Sequence, residues 1–422
     1  MTSAPLDLPL NLDRLWSRVE TLATFIRPDV PWTRRAFSSE FLRARDWLRD
    51  EFASAGLEIE TDASGNLVGR RVGLESALAP LVSGSHCDTV VAGGRFDGII
   101  GVLAALEFAH SLNDAGLALR HTFEVIDFLS EEPSDYGVSC VGSRALCGKL
   151  DSVMLAARNH EGESLAAAIR RIGGDPERLD RPLRHAGSVA AFVELHIEQG
   201  PVLESRKLPI GVVTNIVGIR RVAITVTGQP DHAGTTPMNL RHDALVGAAR
   251  LIDGAHRMAS ALSGNAGYVV ATVGRIAMAP NVPNAVPGKV EMVLEVRSDC
   301  ASVLRDFPEK LLQENAFEMR SLRVDASLSE LSSGNPTECS TLVTDTVEQA
   351  AARLGYASLR MPSGAGHDAV YMKNLGPMGM IFVPCLNGRS HCPEEWLEPQ
   401  QLLDGMRVLA ATLLTLDCAL DL

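Results

Sequence analysis

Five side chains that could bind metal ions lie in five separate polar phrases of this 422-residue sequence. They are His86 in Gly-Ser-His-Cys-Asp-Thr-Val, Asp97 in Gly-Gly-Arg-Phe-Asp-Gly, Glu132 in Leu-Ser-Glu-Glu-Pro, His196 in Glu-Leu-His-Ile-Glu-Gln-Gly, and His391 in Gly-Arg-Ser-His-Cys-Pro-Glu-Glu. Imidazole together with carboxylate suits Zn²⁺, Mn²⁺, Co²⁺ or Ni²⁺. One of the acids could bridge two ions. Because such ions activate water, the set predicts a hydrolytic site.

Each of these residues also has a purely structural interpretation when it is considered alone. The triplet His86-x-Asp88 is common in sequences, Asp97 could cap the helix that follows it, and His196 could be a core histidine. Asp88, however, is placed to orient the His86 ring. Polar residues also alternate along the strand that carries His196, so burial of that face would need several partners. Taken jointly, the residues predict a metal site.

Glu131 and Glu132 form the pair with the clearest mechanistic content. Neighbouring acids at the end of a strand point to different faces, so one can bind metal while the other reaches the water. A general base must be within hydrogen-bond reach of that water and must not be consumed by coordination. We predict that Glu132 binds metal and that Glu131 transfers protons. The alternative is a solvated acidic turn.

Apolar runs that end in polar residues predict the elements that position these groups. Buried strands of this kind deliver ligands at their carboxyl ends. The predicted strands cover residues 80–86, 122–129 and 190–197. A mostly apolar helix is predicted over residues 98–112, directly after Asp97, and helices are predicted over 13–30 and 39–55.

The pattern changes near residue 214. Alternation of apolar and polar residues beyond this point predicts a half-exposed antiparallel sheet, with a long helix over 243–262. The polar run that begins at Ser332 ends the block. We therefore expect an α/β fold in which a metal-binding catalytic domain has a central mixed sheet flanked by helices. A smaller α+β sandwich domain, expected to serve as a lid or dimerisation domain, interrupts it. The catalytic domain is predicted over residues 1–213 and 332–422, and the inserted domain over 214–331.

The inserted block has its own polar cluster. His232 follows Asp231 in a loop between strand and helix, where it could stabilise a developing oxyanion or merely cap a turn. Asn284 precedes the strand that ends near Arg297, and these two groups could hold a substrate carboxylate. A surface salt bridge is the alternative interpretation for Arg297.

Composition excludes several classes of function. A formal net charge of −13 without a basic run argues against nucleic-acid or anionic-membrane partners. The apolar stretches are far shorter than a spanning helix needs, and no secretory signal is visible, so a soluble cytoplasmic protein is expected. Eight cysteines without a C-x-x-C pair predict free thiols.

From about residue 10 to the C-terminus, the chain resembles the amidase/hydantoinase/carbamoylase family within the dinuclear-metal aminoacylase and carboxypeptidase superfamily. Members include N-carbamoyl-L-amino acid hydrolases, allantoate amidohydrolase and β-ureidopropionase. The phrases that carry the resemblance are Ser-His-Cys-Asp-Thr-Val with Gly-Gly-Arg-Phe-Asp-Gly, Glu-Leu-His-Ile-Glu-Gln-Gly-Pro-Val-Leu-Glu, Asp-His-Ala-Gly-Thr-Thr-Pro-Met, Gly-Ala-Gly-His-Asp-Ala and Ser-His-x-Pro-Glu-Glu.

The resemblance implies a specific division of roles and a reaction. His86 and His196 would hold one divalent ion, Glu132 and His391 the other, and Asp97 would bridge them. Glu131 would be the general base. The implied substrate contacts are Gln199, His232, Asn284, Arg297 and the backbone of Gly366. The implied enzyme is a homodimer through the inserted domain, with His232 acting within or across subunits. It would cleave the C–N bond of a small N-carbamoyl or ureido acid, releasing ammonia and carbon dioxide.

One segment departs from the family pattern. Where family members usually have Glu-Glu-Glu-Gly-Ser-Arg-Phe, this chain has Glu131-Glu132-Pro-Ser-Asp-Tyr-Gly, so a third acid and an arginine are lost beside the predicted base. Because the segment 133–137 differs, an alternative activity is that of a dipeptidase, an aminoacylase or another amide or aryl-amine hydrolase of the superfamily. A non-catalytic binding protein that keeps the fold is a further alternative.

Overall fold

A computed structural model describes residues 8–263 and 267–420, which form two compact units. Unit 1 contains the described residues before Asn215, the segment Cys339–Met361, and the described residues from His367 onward. Unit 2 contains the described residues of Asn215–Glu338 together with Pro362–Gly366. None of the described helices is long and apolar enough to cross a membrane.

The chain alternates between helices and strands in unit 1 and forms mainly strands in unit 2. The helices are α1 (Leu12–Leu22), α2 (Ser39–Ser54), α3 (Ile99–Asp114), α4 (Val141–Leu146), α5 (Ser152–Leu155), α6 (Leu165–Arg171), α7 (Val202–Arg206), α8 (Ala244–Leu262), α9 (Ala301–Glu314), α10 (Ala316–Leu322), α11 (Thr341–Arg353), α12 (Ala369–Met372) and α13 (Pro399–Ala419). The strands are β1 (Glu58–Thr61), β2 (Leu67–Arg71), β3 (Leu81–His86), β4 (Phe123–Phe128), β5 (Ala191–Ile197), β6 (Ile210–Ile216), β7 (Gly218–Thr227), β8 (Asp231–His232), β9 (Val269–Ala279), β10 (Ala285–Val286), β11 (Lys289–Ser298), β12 (Asp325–Gly334), β13 (Thr337–Glu338), β14 (Ser358–Ser363) and β15 (Met378–Val383).

The large sheet is mixed, as the sequence predicts. Its strand order is β1-β2-β4-β3-β5-β15-β6, and the short strands β13 and β14 both pair with β6. β3 is parallel to β4 and to β5, and β5 is parallel to β15. β1, β2 and β6 pair with their neighbours in the antiparallel sense. Because the central strands are parallel, their carboxyl ends meet at one edge of the sheet.

Burial explains the apolar composition of these central strands. All residues of β3, β4, β5 and β15 are buried, which accounts for the apolar residues on both faces of these strands. α3 is also buried over most of its length and packs against β3 and β5. Its one buried acid, Glu107, is neutralised by ion pairs with Arg14 and Arg18 of α1. The predicted strands and the predicted helix over 98–112 are confirmed.

The N-terminal helix is shorter than predicted. It begins after Asn11, whose side chain accepts a hydrogen bond from the backbone N–H of Arg14, and it ends at Leu22 rather than near residue 30. The segment that follows contains Pro28 and Pro31, and the residue before a proline is disfavoured in the helical conformation. The prediction over 13–30 is therefore wrong at its C-terminal end.

Unit 2 is an α+β layer structure. Its antiparallel sheet has the order β12-β7-β11-β9, and α8 and α9 pack against it. Every second residue of β11 is buried, as expected for a sheet with one covered face. Strand β12 was missed, because it is rich in serine and mostly exposed and so lacks a clear apolar alternation. It continues to Gly334 and β13 follows, so unit 2 extends past the predicted boundary at residue 331.

Candidate metal centre

His86 is the last residue of β3, and its ring is buried. Its Nδ1 lies 3.0 Å from the backbone oxygen of Asp88, so its Nε2 is directed toward two acids. This Nε2 is 3.9 Å from Oδ1 of Asp97 and 3.7 Å from Oε2 of Glu131. A backbone contact at one nitrogen thus leaves the other nitrogen for a metal ion, which is the usual arrangement of a histidine ligand.

His196 lies next to the end of β5 and is held in the same manner. Its Nδ1 is 2.9 Å from the backbone oxygen of Ile197, and its Nε2 is 3.1 Å from Oδ1 of Asp97. The backbone N–H of Gly98 also donates to this Nε2 at 3.1 Å. His196 therefore has polar partners at both ring nitrogens and is not an isolated core histidine.

Asp97 lies in the loop that precedes α3 and is buried. The residue that caps the helix is Gly98, and no side-chain capping bond is made, so the alternative that Asp97 caps α3 is wrong. Gly98 has φ +70°, and a Cβ atom at this position would overlap the His86 ring. The glycine is therefore needed both for its backbone conformation and for the close approach of the imidazole.

The second carboxylate oxygen of Asp97 faces a different set of groups. Its Oδ2 lies 2.9 Å from Nε2 of His391, which in turn lies 3.0 Å from Oε1 of Glu132. These two carboxylates raise the pKa of His391 to about 11. Although burial alone would raise it, contacts with His196 and His391 hold the pKa of Asp97 well below its usual range.

Two groups of potential ligands thus share Asp97. One contains His86 and His196, and the other contains Glu132 and His391, with the ligand atoms of each group within 4.8 Å of one another. This is the division that the family resemblance implies. The chemistry of the donors, imidazole nitrogen with carboxylate oxygen, fits first-row divalent ions.

Glu131 belongs to neither group. It is 9% exposed, and its Oε2 faces His86 while its Oε1 accepts a hydrogen bond from the thiol of Cys140 at 3.5 Å. Burial raises the pKa of Glu131 well above its ordinary value, although the nearby His86 opposes this shift. A buried carboxyl with a raised pKa, beside a candidate metal ligand, suits proton transfer near neutral pH. The alternative of a solvated acidic turn is wrong for both acids, because Glu132 is also buried.

Asp88 contacts His86 differently from the prediction. Its backbone oxygen, rather than its carboxylate, makes the closest contact with the ring, and Oδ1 lies 3.6 Å from Nδ1. The two carboxylate oxygens accept hydrogen bonds from the backbone N–H groups of Glu131 and Glu132, at 3.3 and 3.2 Å. The side chain therefore orients the acidic pair as well as lying beside the histidine.

Three residues surround Asp97, and one of them, Gln199, belongs to the predicted set as a substrate contact. The side-chain amide of Gln199 donates to Oδ2 of Asp97 at 2.8 Å, and the hydroxyl of Ser390 donates to the same oxygen at 3.1 Å. Glu395 accepts hydrogen bonds from the backbone N–H groups of Phe96 and Asp97. Glu395 and Ser390 were assigned no role from sequence, although Glu395 is the last residue of the Ser-His-x-Pro-Glu-Glu phrase.

Three further polar residues of unit 1 were also missed as candidates. Glu194 and His367 have ligand atoms within 4.8 Å of His196, and one carboxylate oxygen of Glu194 is buried without a hydrogen-bond partner in the described chain. Asp368 is fully buried and accepts a hydrogen bond from Ser143. The Gly-Ala-Gly-His-Asp phrase was the only sequence signal for His367 and Asp368.

Four of the ten non-glycine residues with positive φ in the described part of the chain lie at or beside this centre. Ser130, Cys140, Gln199 and His391 all have φ between +51° and +57°, a region that residues other than glycine rarely adopt. Each of these residues is a candidate site residue or lies beside one. Such strain persists where the surrounding structure holds a functional arrangement.

The remaining predicted residues belong to unit 2. His232 in β8 pairs with Ala285 in β10, and the backbone N–H of Ala233 donates to the backbone oxygen of Asn284 at 3.0 Å. Arg297 donates to the backbone oxygen of Gly364 at 2.8 Å and pairs with Glu295 at 2.7 Å. Arg297 thus makes an ion pair, but it also contacts the loop that contains Gly366.

A mixed α/β unit that gathers imidazoles and carboxylates at the carboxyl ends of parallel strands is the architecture of a metal-dependent hydrolase. Residues 82–415 match the sequence profile of peptidase family M20/M25/M40. The chain belongs to this family, and it is an enzyme that hydrolyses carbon–nitrogen bonds.

Individual relatives show which enzymes of the family this chain is similar to. The chain is 39% identical over 402 residues to the N-carbamoyl-L-amino acid amidohydrolase of Geobacillus stearothermophilus, which covers 95% of this chain and 97% of the relative. It is 34% identical over 416 residues to the ureidoglycolate hydrolase of Arabidopsis thaliana, which covers 96% and 87%. Among solved structures, an amidase of the hydantoinase/carbamoylase family from Burkholderia multivorans has a TM-score of 0.89 and 34% identity, covering 97% of this chain and 99% of that one. The family resemblance seen in the sequence is confirmed.

Proposed function

We propose that this chain is a dinuclear-metal hydrolase that cleaves the C–N bond of small N-carbamoyl or ureido acids and releases ammonia and carbon dioxide. The observation that carries the proposal is the shared carboxylate of Asp97. Its Oδ1 lies 3.1 Å from Nε2 of His196, whereas its Oδ2 lies 2.9 Å from Nε2 of His391. A carboxylate whose two oxygens face two separate ligand groups is suited to bridge two ions.

The residues of the centre fit two divalent ions. We propose that His86 and His196 hold one ion, that Glu132 and His391 hold the other, and that Asp97 bridges them. Zn²⁺, Mn²⁺, Co²⁺ and Ni²⁺ are the candidates, because the donors are imidazole and carboxylate. When bound, such ions lower the pKa of a water molecule and polarise the carbonyl group of the substrate.

Glu131 is the proposed general base. Its carboxyl group lies beside His86, with Oε2 3.7 Å from Nε2 of that ring, and it belongs to neither of the two ligand groups. It would accept a proton from the attacking water and deliver it to the departing nitrogen. The carbamoyl group then leaves as carbamate, which breaks down to ammonia and carbon dioxide.

The proposed substrate contacts are the residues that the family resemblance implies. We propose that Gln199, His232, Asn284, Arg297 and the backbone of Gly366 bind the substrate, with His232 stabilising the oxyanion and Arg297 holding a carboxylate. The guanidinium group of Arg297 donates to the backbone oxygen of Gly364, which supports a position of the Arg297 side chain near Gly366. We also propose a homodimer formed through unit 2, on the basis of the family resemblance.

Ammonia release tests the proposal. Protein reconstituted separately with zinc, manganese, cobalt and nickel would be assayed with N-carbamoyl-L-amino acids, ureidopropionate, allantoate and ureidoglycolate. We expect ammonia from at least one of these substrates. Fully metallated protein that releases none from any of them would overturn the proposal.

A second candidate is an amide hydrolase acting on dipeptides, N-acyl amino acids or aryl amides, because the segment 133–137 beside Glu131 departs from the family pattern. Tyr136 packs edge-on against Phe37 at 5.3 Å, and its hydroxyl donates to Glu163 at 2.5 Å. Asp135 forms an ion pair with Arg35 at 2.7 Å. The segment 133–137 thus has its own supporting contacts directly after Glu132. Ninhydrin detection of free amino acids from these substrates, without ammonia, would favour this candidate.

A further inference from the structure

We infer that Cys140 is a positioning residue for the general base, and that its thiol holds the carboxylate of Glu131 in the orientation needed for proton transfer. The inference rests on the proposed function of Glu131. Nothing in the sequence pattern singles out this cysteine, which lies nine residues beyond the base and past the segment that departs from the family.

Cys140 contacts Glu131 through its backbone N–H and through its thiol. The N–H donates to the backbone oxygen of Glu131 at 2.9 Å, and Sγ lies 3.5 Å from Oε1 and 3.8 Å from the backbone oxygen of the same residue. The first contact closes the loop between the two residues, and the second reaches the carboxylate itself. One carboxylate oxygen is therefore held by Cys140, while the other, Oε2, faces His86 at 3.7 Å.

The backbone of Cys140 is what aims the thiol. The residue has φ +51° and ψ +40°, a left-handed conformation that costs free energy for any residue with a Cβ atom. It precedes α4 directly, and the backbone N–H of Arg144 donates to its carbonyl oxygen. The helix thereby anchors Cys140 in its strained conformation. This conformation directs the thiol toward the carboxylate of Glu131.

The thiol acts as a neutral donor in this contact. Cys140 is 6% exposed, and burial raises the pKa of its thiol well above the ordinary value. A protonated sulfur can donate to a carboxylate oxygen but cannot compete for the proton that Glu131 carries. The thiol would hold the base without entering the reaction, so Cys140 is not a catalytic residue.

Three variants test the inference through turnover. Cys140→Ala removes the donor, Cys140→Ser replaces it with another short donor, and Cys339→Ala removes a buried thiol outside the centre as the matched control. We expect Cys140→Ala to lower kcat by about tenfold, with KM and metal content within about twofold of wild type. Cys140→Ser should stay within about threefold of wild type, and the control should be unchanged.

A double substitution separates positioning from general destabilisation. If Cys140 acts through Glu131, adding Cys140→Ala to Glu131→Gln should change the residual turnover by less than about twofold. A full tenfold further loss in the double variant would overturn the inference. An equal loss in Cys140→Ser and Cys140→Ala would also overturn it, since a replaced donor should rescue the enzyme.

An infrared measurement keeps this test independent of the substrate. The S–H stretching band of Cys140, isolated as the wild-type minus Cys140→Ala difference, should shift to higher frequency in Glu131→Gln, because an amide is a weaker acceptor than a carboxylate. A band that does not respond to Glu131→Gln would overturn the inference even if no substrate is found. A band that responds, in a protein that releases no ammonia, would locate the failure in the proposed function instead.

Discussion

The carboxylate of Asp88 accepts a hydrogen bond from the backbone N–H of Glu131 at 3.3 Å. Its second oxygen accepts from the next residue of the chain, so both acids of the pair are held by one side chain. Asp88 follows the end of β3, whereas the acids follow the end of β4. The contact therefore fixes the proposed base and one proposed ligand relative to the strand that carries His86.

This contact predicts a defect in catalysis when Asp88 is altered. Asp88→Asn leaves one acceptor oxygen where two N–H groups need one each, so one of these groups is left without its partner. We expect kcat to fall by about tenfold or more, because an unpaired buried polar group costs about 1–3 kcal/mol and displaces the acids. Steady-state kinetics would measure the fall in kcat, and metal analysis would show whether the ions are retained. Asp46→Asn, on the exposed surface of α2, is the control, and equal activity of both variants would contradict the prediction.

Removal of the proposed base should separate catalysis from metal binding. Glu131→Gln keeps the shape of the side chain but cannot take up the proton of the water. We expect turnover to fall by roughly 10²- to 10⁴-fold while the metal content stays that of the wild type. Metal content would be determined by plasma mass spectrometry after dialysis. An unchanged rate would show that Glu131 is not the base, and the exposed Glu161→Gln is the control.

The two ligand groups predict that each ion can be lost separately. His391→Ala removes a ligand of only one group, and His196→Ala removes a ligand of only the other. We expect each variant to retain about one ion per chain where the wild type retains two. Chelation should also lower the melting temperature of the wild type, since an ion at about 100 times its Kd stabilises the folded state by about 2.7 kcal/mol. Wild-type metal content in both variants would contradict the two-ion proposal.

Two glycines at the ends of α3 predict different effects of substitution by alanine, because only one of them lies against the metal centre. Gly98→Ala would place a Cβ atom into the His86 ring, whereas Gly116→Ala, which has a similar positive φ of +62°, meets no atom within 4 Å. The second variant therefore measures the cost of the left-handed backbone alone, about 1 kcal/mol. We expect Gly98→Ala to cost about 1–3 kcal/mol more in the free energy of unfolding and to lose metal. Urea denaturation and metal analysis would check both effects, and equal behaviour of the two variants would contradict the prediction.

Local sequence patterns were sufficient for much of the fold. Short segments rich in apolar residues predict β3, β4 and β5, because strands that are buried on both faces carry apolar residues on each face. The same pattern failed at β12, whose exposed, serine-rich residues do not distinguish a strand from a loop. It also extends α1 past Leu22, where Pro28 and Pro31 disfavour the helical conformation of the residues before them.

The types of residue in the centre can be predicted from local sequence, whereas the atoms that meet there follow from the tertiary fold. Apolar strands that end at His86, or that are followed by Glu131 and Glu132, indicate that polar residues collect at one edge of the sheet. Local sequence can show this because the type and burial of an element depend on nearby residues. The hydrogen bonds from the backbone of Phe96 and Asp97 to Glu395 join segments almost 300 positions apart. The contact of Cys140 with Glu131 requires a left-handed backbone at a residue other than glycine. Such contacts depend on the path of the whole chain and on individual torsion angles, and the local order of residue types does not encode either of these.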